Sequence, residues 1–221
     1  MHMVARRERL VVNKKRSERV YYRVEKLSIQ RKKRRRKAGH TRGEQPKATA
    51  KNQRWAMDFV HDSLWGDRKF RMLTVIDTYT RESLAIEVGT SINGIKVAEV
   101  LDRVILAEGL PETITVDNGP EFAGKTLDRW AYENGIKLDF IRPGKPVDNC
   151  FIESFNGTLR KNCLNAHYFS SIDEARLIIE KWRKEYNEFK PHSALCGLTP
   201  AEFAGNNNRC TADNLNLAVV Q

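Results

Sequence analysis

Apolar positions along the chain change period several times, and each change marks an element. Residues 53–60 (QRWAMDFV), 70–77 (FRMLTVID) and 83–88 (SLAIEV) are short apolar runs of strand length. The turn-like residues 78–81 separate the last two, so the three runs predict an antiparallel meander. Ile95, Ala98, Leu101, Val104 and Ile105 then recur at helical spacing, and Gly109 and Pro111 stop that helix. TITV at 113–116 predicts a fourth strand. Residues 124–134 predict a helix with Leu127, Trp130 and Ala131 inward, closed by Asn134 and Gly135, and KLDFI at 137–141 predicts a fifth strand. Two further helices follow. In residues 149–163, Ile152, Phe155, Leu159 and Cys163 form the inward stripe; in residues 173–190 the stripe is Ala175, Ile178, Ile179, Trp182, Tyr186 and Phe189. Strands alternating with helices after an opening meander predict an α/β fold, a mixed five-stranded sheet flanked by helices.

Upstream of residue 54 the pattern is different. Val20, Tyr21, Val24 and Leu27 lie at helical spacing with Lys and Arg between them, which predicts one basic amphipathic helix. A lone helix does not bury its own stripe, so this one requires a partner helix or the main domain. Charge sharpens the division. Of the net +11, residues 1–54 hold 20 Lys and Arg against 4 Asp and Glu, and the remaining residues hold 19 against 24. The peak is the unbroken run Arg31, Lys32, Lys33, Arg34, Arg35, Arg36 and Lys37, which repels itself until it meets a polyanion. Nucleic acid is the natural partner; a solvated tail and a localisation signal are the plainer alternatives. The expected organisation is a basic arm over 1–53, a core over 54–205 and a flexible tail over 206–221.

With 40% hydrophobic residues the chain is long enough for one sizeable core. No apolar run approaches the ~20 residues of a membrane-spanning helix, and the basic start lacks the apolar stretch of a secretion signal, so the expectation is a cytoplasmic protein, nucleoid-associated when bound to DNA, without a membrane partner. Cys150, Cys163, Cys196 and Cys210 are too far apart for a CxxC zinc pair and are expected to be reduced thiols, with Cys163 in a core. Phosphate-cradling GxxxxGK[ST] and GxGxxG runs are absent, as is a GxSxG nucleophile motif.

Candidate chemistry rests on three carboxylates. Asp58 lies in RWAMDFV, Asp117 at the end of ITVDN, and Glu153 in FIESFNGTLR, with 35 residues between the last two. Carboxylates brought from distant points of a chain suit a hard cation such as magnesium. An ionised Asp58 flanked by Trp55, Met57 and Phe59 is costly to bury without a cation or partner. Asp62, Asp67, Asp77 and Asp148 are assigned to turns instead. On the helix carrying Glu153, Asn156 and Arg160 share its face beside the inward stripe and are expected to meet DNA there. Lys145 lies in a Pro- and Gly-rich loop within reach of a phosphate, while Arg142, Lys190 and His192 read equally as DNA-facing or as solvated loop residues.

From Arg54 to Ala204 six runs in order, WAMDFV, LTVIDTYTRE, DNGPEF, FIRPGKPVDN, FIESFNGTLR and YNEFKPHSALCGLTPAEF, resemble the DDE transposases of bacterial insertion sequences. The resemblance is to the IS-three family, the branch that shares the retroviral integrase core. It implies a ribonuclease-H-like fold with Asp58, Asp117 and Glu153 as the catalytic, metal-binding carboxylates, and Arg160 as a basic residue touching terminal DNA. The N-terminal helix and basic run look like the tail of a helix-turn-helix region, with an upstream-frame protein as a possible supplier of the rest. Asp148, Lys161, Asn162 and Cys196 depart from the family pattern.

The implied chemistry is cleavage and joining of element ends by phosphodiester transfer. Two Mg²⁺ ions, replaceable by Mn²⁺, would stabilise attacking and leaving oxygens at a separation of roughly 3.5–4 Å. The implied partners are element-end and target DNA and further copies of the same chain. Two other readings share part of the pattern: a non-catalytic DNA-binding regulator of transposition, and another ribonuclease-H-like nuclease.

Overall fold

A computed structural model of the chain describes residues 4, 7–8, 10, 13–25, 47–119, 121–122, 124–141 and 149–205. Arg31 to Lys37, Arg142, Lys145, Asp148 and the tail from 206 lie outside the described residues. The chain divides into two compact units, residues 1–46 and 47–221. In the first, Asn13 caps a short helix, α1 (Lys14–Glu18), through its side chain, and a π-helical turn (Arg19–Val24) continues it. The single regular amphipathic helix expected there is therefore interrupted. Val20 and Val24 are exposed, and α1 buries none of its residues.

The second unit is a five-stranded mixed sheet. β1 (Arg54–Ser63), β2 (Lys69–Asp77) and β3 (Ser83–Gly89) form the expected antiparallel meander, while β4 (Thr113–Val116) and β5 (Lys137–Phe140) run parallel to β1, in the order β3-β2-β1-β4-β5. Parallel neighbours need a crossover, and α2 (Gly94–Glu108) and α3 (Lys125–Glu133) supply two on one face. Asn93 caps α2 by accepting from the Lys96 N–H, and Gly109, at φ +91°, ends it. Helices α4 (Cys150–Asn162) and α5 (Ile172–Glu188) cover the other face, followed by the short α6 (Pro200–Gly205).

Strand alternation sorts the core between the two faces. Trp55, Met57, Leu73, Val75, Ile114 and Val116 pack against α2 and α3, with Val97, Val100, Leu101, Leu127 and Trp130 facing them. Ala56, Val60, Phe70, Met72 and Ile76 pack toward α4 and α5, against Ile152, Phe155, Leu159, Cys163, Ala175, Ile179 and Tyr186. Two expected inward residues prove exposed. Ile95 sits in the first turn of α2, before the helix meets the sheet, and Phe189 is the C-cap of α5, past its last turn.

The outer edge of β3 is closed by side chains rather than by another strand. Arg176 Nε donates to the Val88 carbonyl (3.1 Å) and Arg183 Nη1 to that of Ser83 (2.7 Å). Asn187 meets Ser83 twice, donating to its carbonyl (3.0 Å) and accepting from its N–H (2.9 Å). An edge strand left bare presents unpaired backbone groups to other chains, so α5 both covers the sheet and blocks its edge.

Asp77, assigned to a turn, is completely buried and accepts from the N–H groups of Asn52, Tyr79 and Thr80, which fixes the β2–β3 turn. Cys150 and Cys163 are free thiols, and burial pushes the Cys163 thiol up to about 11. Cys196 is disulfide-bonded, which corrects the expectation of reduced thiols throughout. No helix among the described residues is long and apolar enough to cross a membrane.

Candidate active site

Asp58 lies at the middle of β1, on the face that carries Ala56 and Val60 and meets α4. Its sequence neighbours Met57 and Phe59 point to the other face, where Phe59 stacks on Phe122 with ring centroids 5.0 Å apart. The carboxylate is therefore not set among aromatic rings, contrary to what adjacency in sequence suggests. Its surroundings are polar. Oδ1 accepts from the Phe59 N–H and Oδ2 from Asn156 Nδ2, each at 2.8 Å.

The β1–β2 register places Thr74 directly opposite Asp58. Thr74 is fully buried, and its hydroxyl lies 3.1 Å from the Asp58 carbonyl and 3.0 Å from Asn156 Oδ1. A hydroxyl has one proton, so it donates to one of these acceptors at a time. Thr74, Asn156 and the Asp58 carboxylate thus form a chain from β2 through α4 to β1. Sequence analysis missed Thr74; the available signal was one polar residue inside the otherwise apolar LTVI of β2.

The β1–β4 ladder ends at Ala56 and Thr115. Continuing that register by two residues sets Asp117, just past β4, beside Asp58. Burial pushes the Asp58 carboxyl up to about 6, and the negative charges of Asp117 and Glu153 add to the rise, while the Phe59 and Asn156 hydrogen bonds oppose it.

Asp117 is held in a tight loop. Its Oδ1 accepts from the Gly119 N–H (3.0 Å), and Phe122 N–H closes back on the Gly119 carbonyl (3.0 Å). A Cβ on Gly119 would stand 2.9 Å from Asp117 Oδ1, so a side chain there would displace the carboxylate from this bond. Glu121 pairs with Arg71, whose guanidinium also bonds the Ile92 carbonyl and lies 4.8 Å over the Phe59 ring. This anchor ties the Asp117 loop to β2, and sequence analysis had not singled out either partner.

Glu153 is exposed in the first turn of α4, and Asn156 and Arg160 follow on the same face. An open cleft of about 410 Å³ is lined by Asp58, His61, Glu153, Asn156, Gly157 and Arg160. Arg160 Nη2 donates to the His61 carbonyl (2.6 Å), which fixes the guanidinium at the cleft wall while leaving the residue exposed. Asn156, expected to meet DNA, has both ends of its amide engaged by Asp58 and Thr74.

The fold therefore brings Asp58, Glu153, Asn156 and Arg160 to one cleft and adds the charge of Asp117. Among the described residues, no group of three or more His, Cys, Asp or Glu side chains is drawn together tightly enough to hold a metal ion. The donor chemistry nevertheless fits a hard divalent cation. All three donors are carboxylate oxygens, and a cation would offset the burial of Asp58 and the neighbouring charges of Asp117 and Glu153.

A mixed sheet with one antiparallel edge, helices on both faces, Asp58 at the middle of β1 and Asp117 just past β4 is the arrangement of a ribonuclease-H-like core. Integrase core domain families match residues 48–146 and 134–200. The IS407 insertion-element protein of Burkholderia multivorans is 43% identical over 213 residues, covering 96% of this chain and 76% of that protein. The IS476 protein of Xanthomonas euvesicatoria is 41% identical over 97% of this chain and 62% of its own length. A putative transposase for IS150 of Escherichia coli is 28% identical over 71% of this chain and 56% of that protein. Among solved structures, the HTLV-2 integrase catalytic core, in complex with magnesium, superposes with a TM-score of 0.57 at 20% identity, over 70% of this chain and 97% of that one. The simian T-cell lymphotropic virus intasome gives 0.66 at 19% identity, over 79% and 62%. The chain belongs to the integrase-core family, among the transposases of bacterial insertion elements.

Proposed function

We propose that this chain cuts and joins DNA strands at the ends of an insertion element by phosphodiester transfer, with Asp58, Asp117 and Glu153 as its acidic set. The observation that carries the reading is the environment of Asp58. Its carboxylate lines an open cleft with Glu153 and Arg160, is oriented by the Asn156 amide and feels the negative charge of Asp117. Such a site concentrates negative charge where a phosphate must arrive, and that suits a divalent cation between the two.

Magnesium, when bound there, supplies the positive charge that activates a water or a 3′-hydroxyl and steadies the leaving oxygen. The protein's own groups do the rest. Asn156 and Thr74 hold the Asp58 carboxylate at one orientation. Arg160, pinned to the His61 carbonyl, offers its exposed guanidinium to a phosphate at the cleft mouth. The Gly119 turn sets the direction of Asp117.

The basic run Arg31 to Lys37, with Lys145, contributes sequence-independent affinity for the DNA backbone that weakens steeply with salt. Joining two ends calls for more than one copy on the DNA. The HTLV-2 core occurs in trimeric and dimeric forms, which supports multimeric action here.

The test is strand cleavage of terminal-repeat DNA, random DNA and an RNA–DNA hybrid, each with and without Mg²⁺ and with Mn²⁺. Magnesium-dependent cleavage confined to the terminal repeat is expected. Asp58→Asn, Asp117→Asn and Glu153→Gln should each abolish cleavage while DNA binding persists. Indiscriminate cutting would instead identify a general nuclease, and binding without cutting a regulator.

A further inference from the structure

Trp65 and Tyr168 are 75% and 86% exposed, in a chain whose other rings are mostly used in the core. They come from separate segments, the β1–β2 hairpin and the stretch after α4. Their rings meet edge to face, with centroids 5.8 Å apart and planes at 79°. Two features lock them in place. The Trp65 backbone N–H donates to the Phe169 carbonyl (2.7 Å), and the hairpin turns sharply through Gly66 (φ +90°) and Asp67 (φ +61°). Beneath them Leu64, Phe70, Leu164 and Phe169 are buried in one cluster, so the platform stands on a firm base.

We propose that Trp65 and Tyr168 form a stacking corner for an unpaired base of the DNA strand that enters the Asp58 cleft. Rings at nearly right angles leave room for one flat heterocycle, stacked on one ring and touching the edge of the other. Such stacking tolerates any base sequence.

Continuity with the cleft favours DNA as the occupant. β1 runs from Asp58 through His61 toward the hairpin, and Arg160 and the exposed Lys161 lie on α4 along the same path. Seven residues at about 3.3 Å each put Trp65 roughly 20 Å from Asp58, about six base steps along a strand. The exposed Arg68 and Lys69 flank the corner, with Asp62 and Asp67 as the nearby acids in sequence. The inference rests on the proposed function, since it takes the cleft to be where a strand is cut.

The test uses the full chain with labelled terminal-repeat duplexes, fully paired or carrying unpaired bases about six nucleotides from the cleavage position. Wild type is expected to bind the frayed duplex about tenfold more tightly. Trp65→Ala and Tyr168→Ala should each lose that preference while keeping the wild-type melting temperature, and Trp65→Phe should retain it. Persistence of the preference in both alanine variants overturns the proposal. So does a change in oligomeric state, by size exclusion, with DNA binding unaltered, which would assign the corner to protein contacts. If wild type neither binds nor cuts terminal DNA, the proposed function itself falls; cutting by wild type with unchanged alanine variants removes the stacking corner alone.

Discussion

Asn156 Nδ2 donates to Asp58 Oδ2 across 2.8 Å, joining the first strand of the core to a helix 98 residues further along the chain. The bond gives Asp58 a fixed orientation in a cleft open enough for its carboxylate to swing. Removing the amide should therefore impair catalysis more than folding. For Asn156→Ala the expected result is a roughly 10- to 100-fold loss of cleavage rate and a higher magnesium requirement, the usual range for groups that orient a metal ligand. Thr74→Val keeps the shape and removes the hydroxyl, so it should show the same direction with a smaller effect. A magnesium titration of the initial rate, beside a melting curve, measures both.

Gly119 makes a different demand on the same site. An alanine Cβ there would lie 2.9 Å from Asp117 Oδ1, closer than the atoms tolerate, so Gly119→Ala must push the carboxylate out of its turn. Cleavage should fall at least tenfold. The loop remains anchored through Arg71 and Glu121, so the melting temperature should change little. Thermal unfolding and strand cleavage measured on one preparation separate the two effects.

Closure of the β3 edge is a stability matter. Asn187 satisfies both backbone groups of Ser83, and Asn187→Ala would leave the Ser83 N–H without an acceptor and its carbonyl dependent on Arg183 alone. The expected cost is about 1–3 kcal/mol, the range for buried groups deprived of a partner. The double variant with Arg183→Met should in addition aggregate more readily, because the bare edge becomes available to another strand. Urea denaturation and light scattering report the two outcomes.

His192 gives the fold a signature at mildly acid pH. Burial holds its ring well below the ordinary 6.5, at about 4, and the positive charges of Lys190 and Arg81 add to this. Its Nε2 is buried without a hydrogen-bond partner, and the ring meets Tyr186 edge to face at 5.0 Å. Between pH 6.5 and 4 the unfolded chain takes up a proton that the folded ring refuses. The neutral ring's contribution is thus complete above pH 6.5 and is lost progressively as pH falls toward 4. His192→Gln should flatten this part of the stability profile relative to wild type, with the difference between the two becoming independent of pH above pH 7. Denaturant midpoints measured across pH 4–8 provide the comparison.

Much of the fold was legible because its signals are local. The three opening strands, the α2 stop at Gly109 and the inward stripe Ile152, Phe155, Leu159 and Cys163 follow from side-chain period and chain-breaking residues. The misjudged positions stand at element ends. Ile95 and Phe189 fit the helical period, but the helices have not yet met the sheet at one position and have left it at the other. The interruption after Glu18 carries no such periodic mark.

The site divides in the same way. Sequence by itself determined which acids deserved notice, that Glu153, Asn156 and Arg160 share one helix face, and that positive charge concentrates before residue 54, because each depends on residue type and short-range spacing. Only tertiary structure decided that Asp58 turns away from Phe59 toward Asn156, that Thr74 stands opposite it, that Arg71 anchors the Asp117 loop, and that Trp65 meets Tyr168. The physical reason is that a period of two tells which strand residues share a face, whereas the helix that face meets is set by the packing of segments distant in the chain.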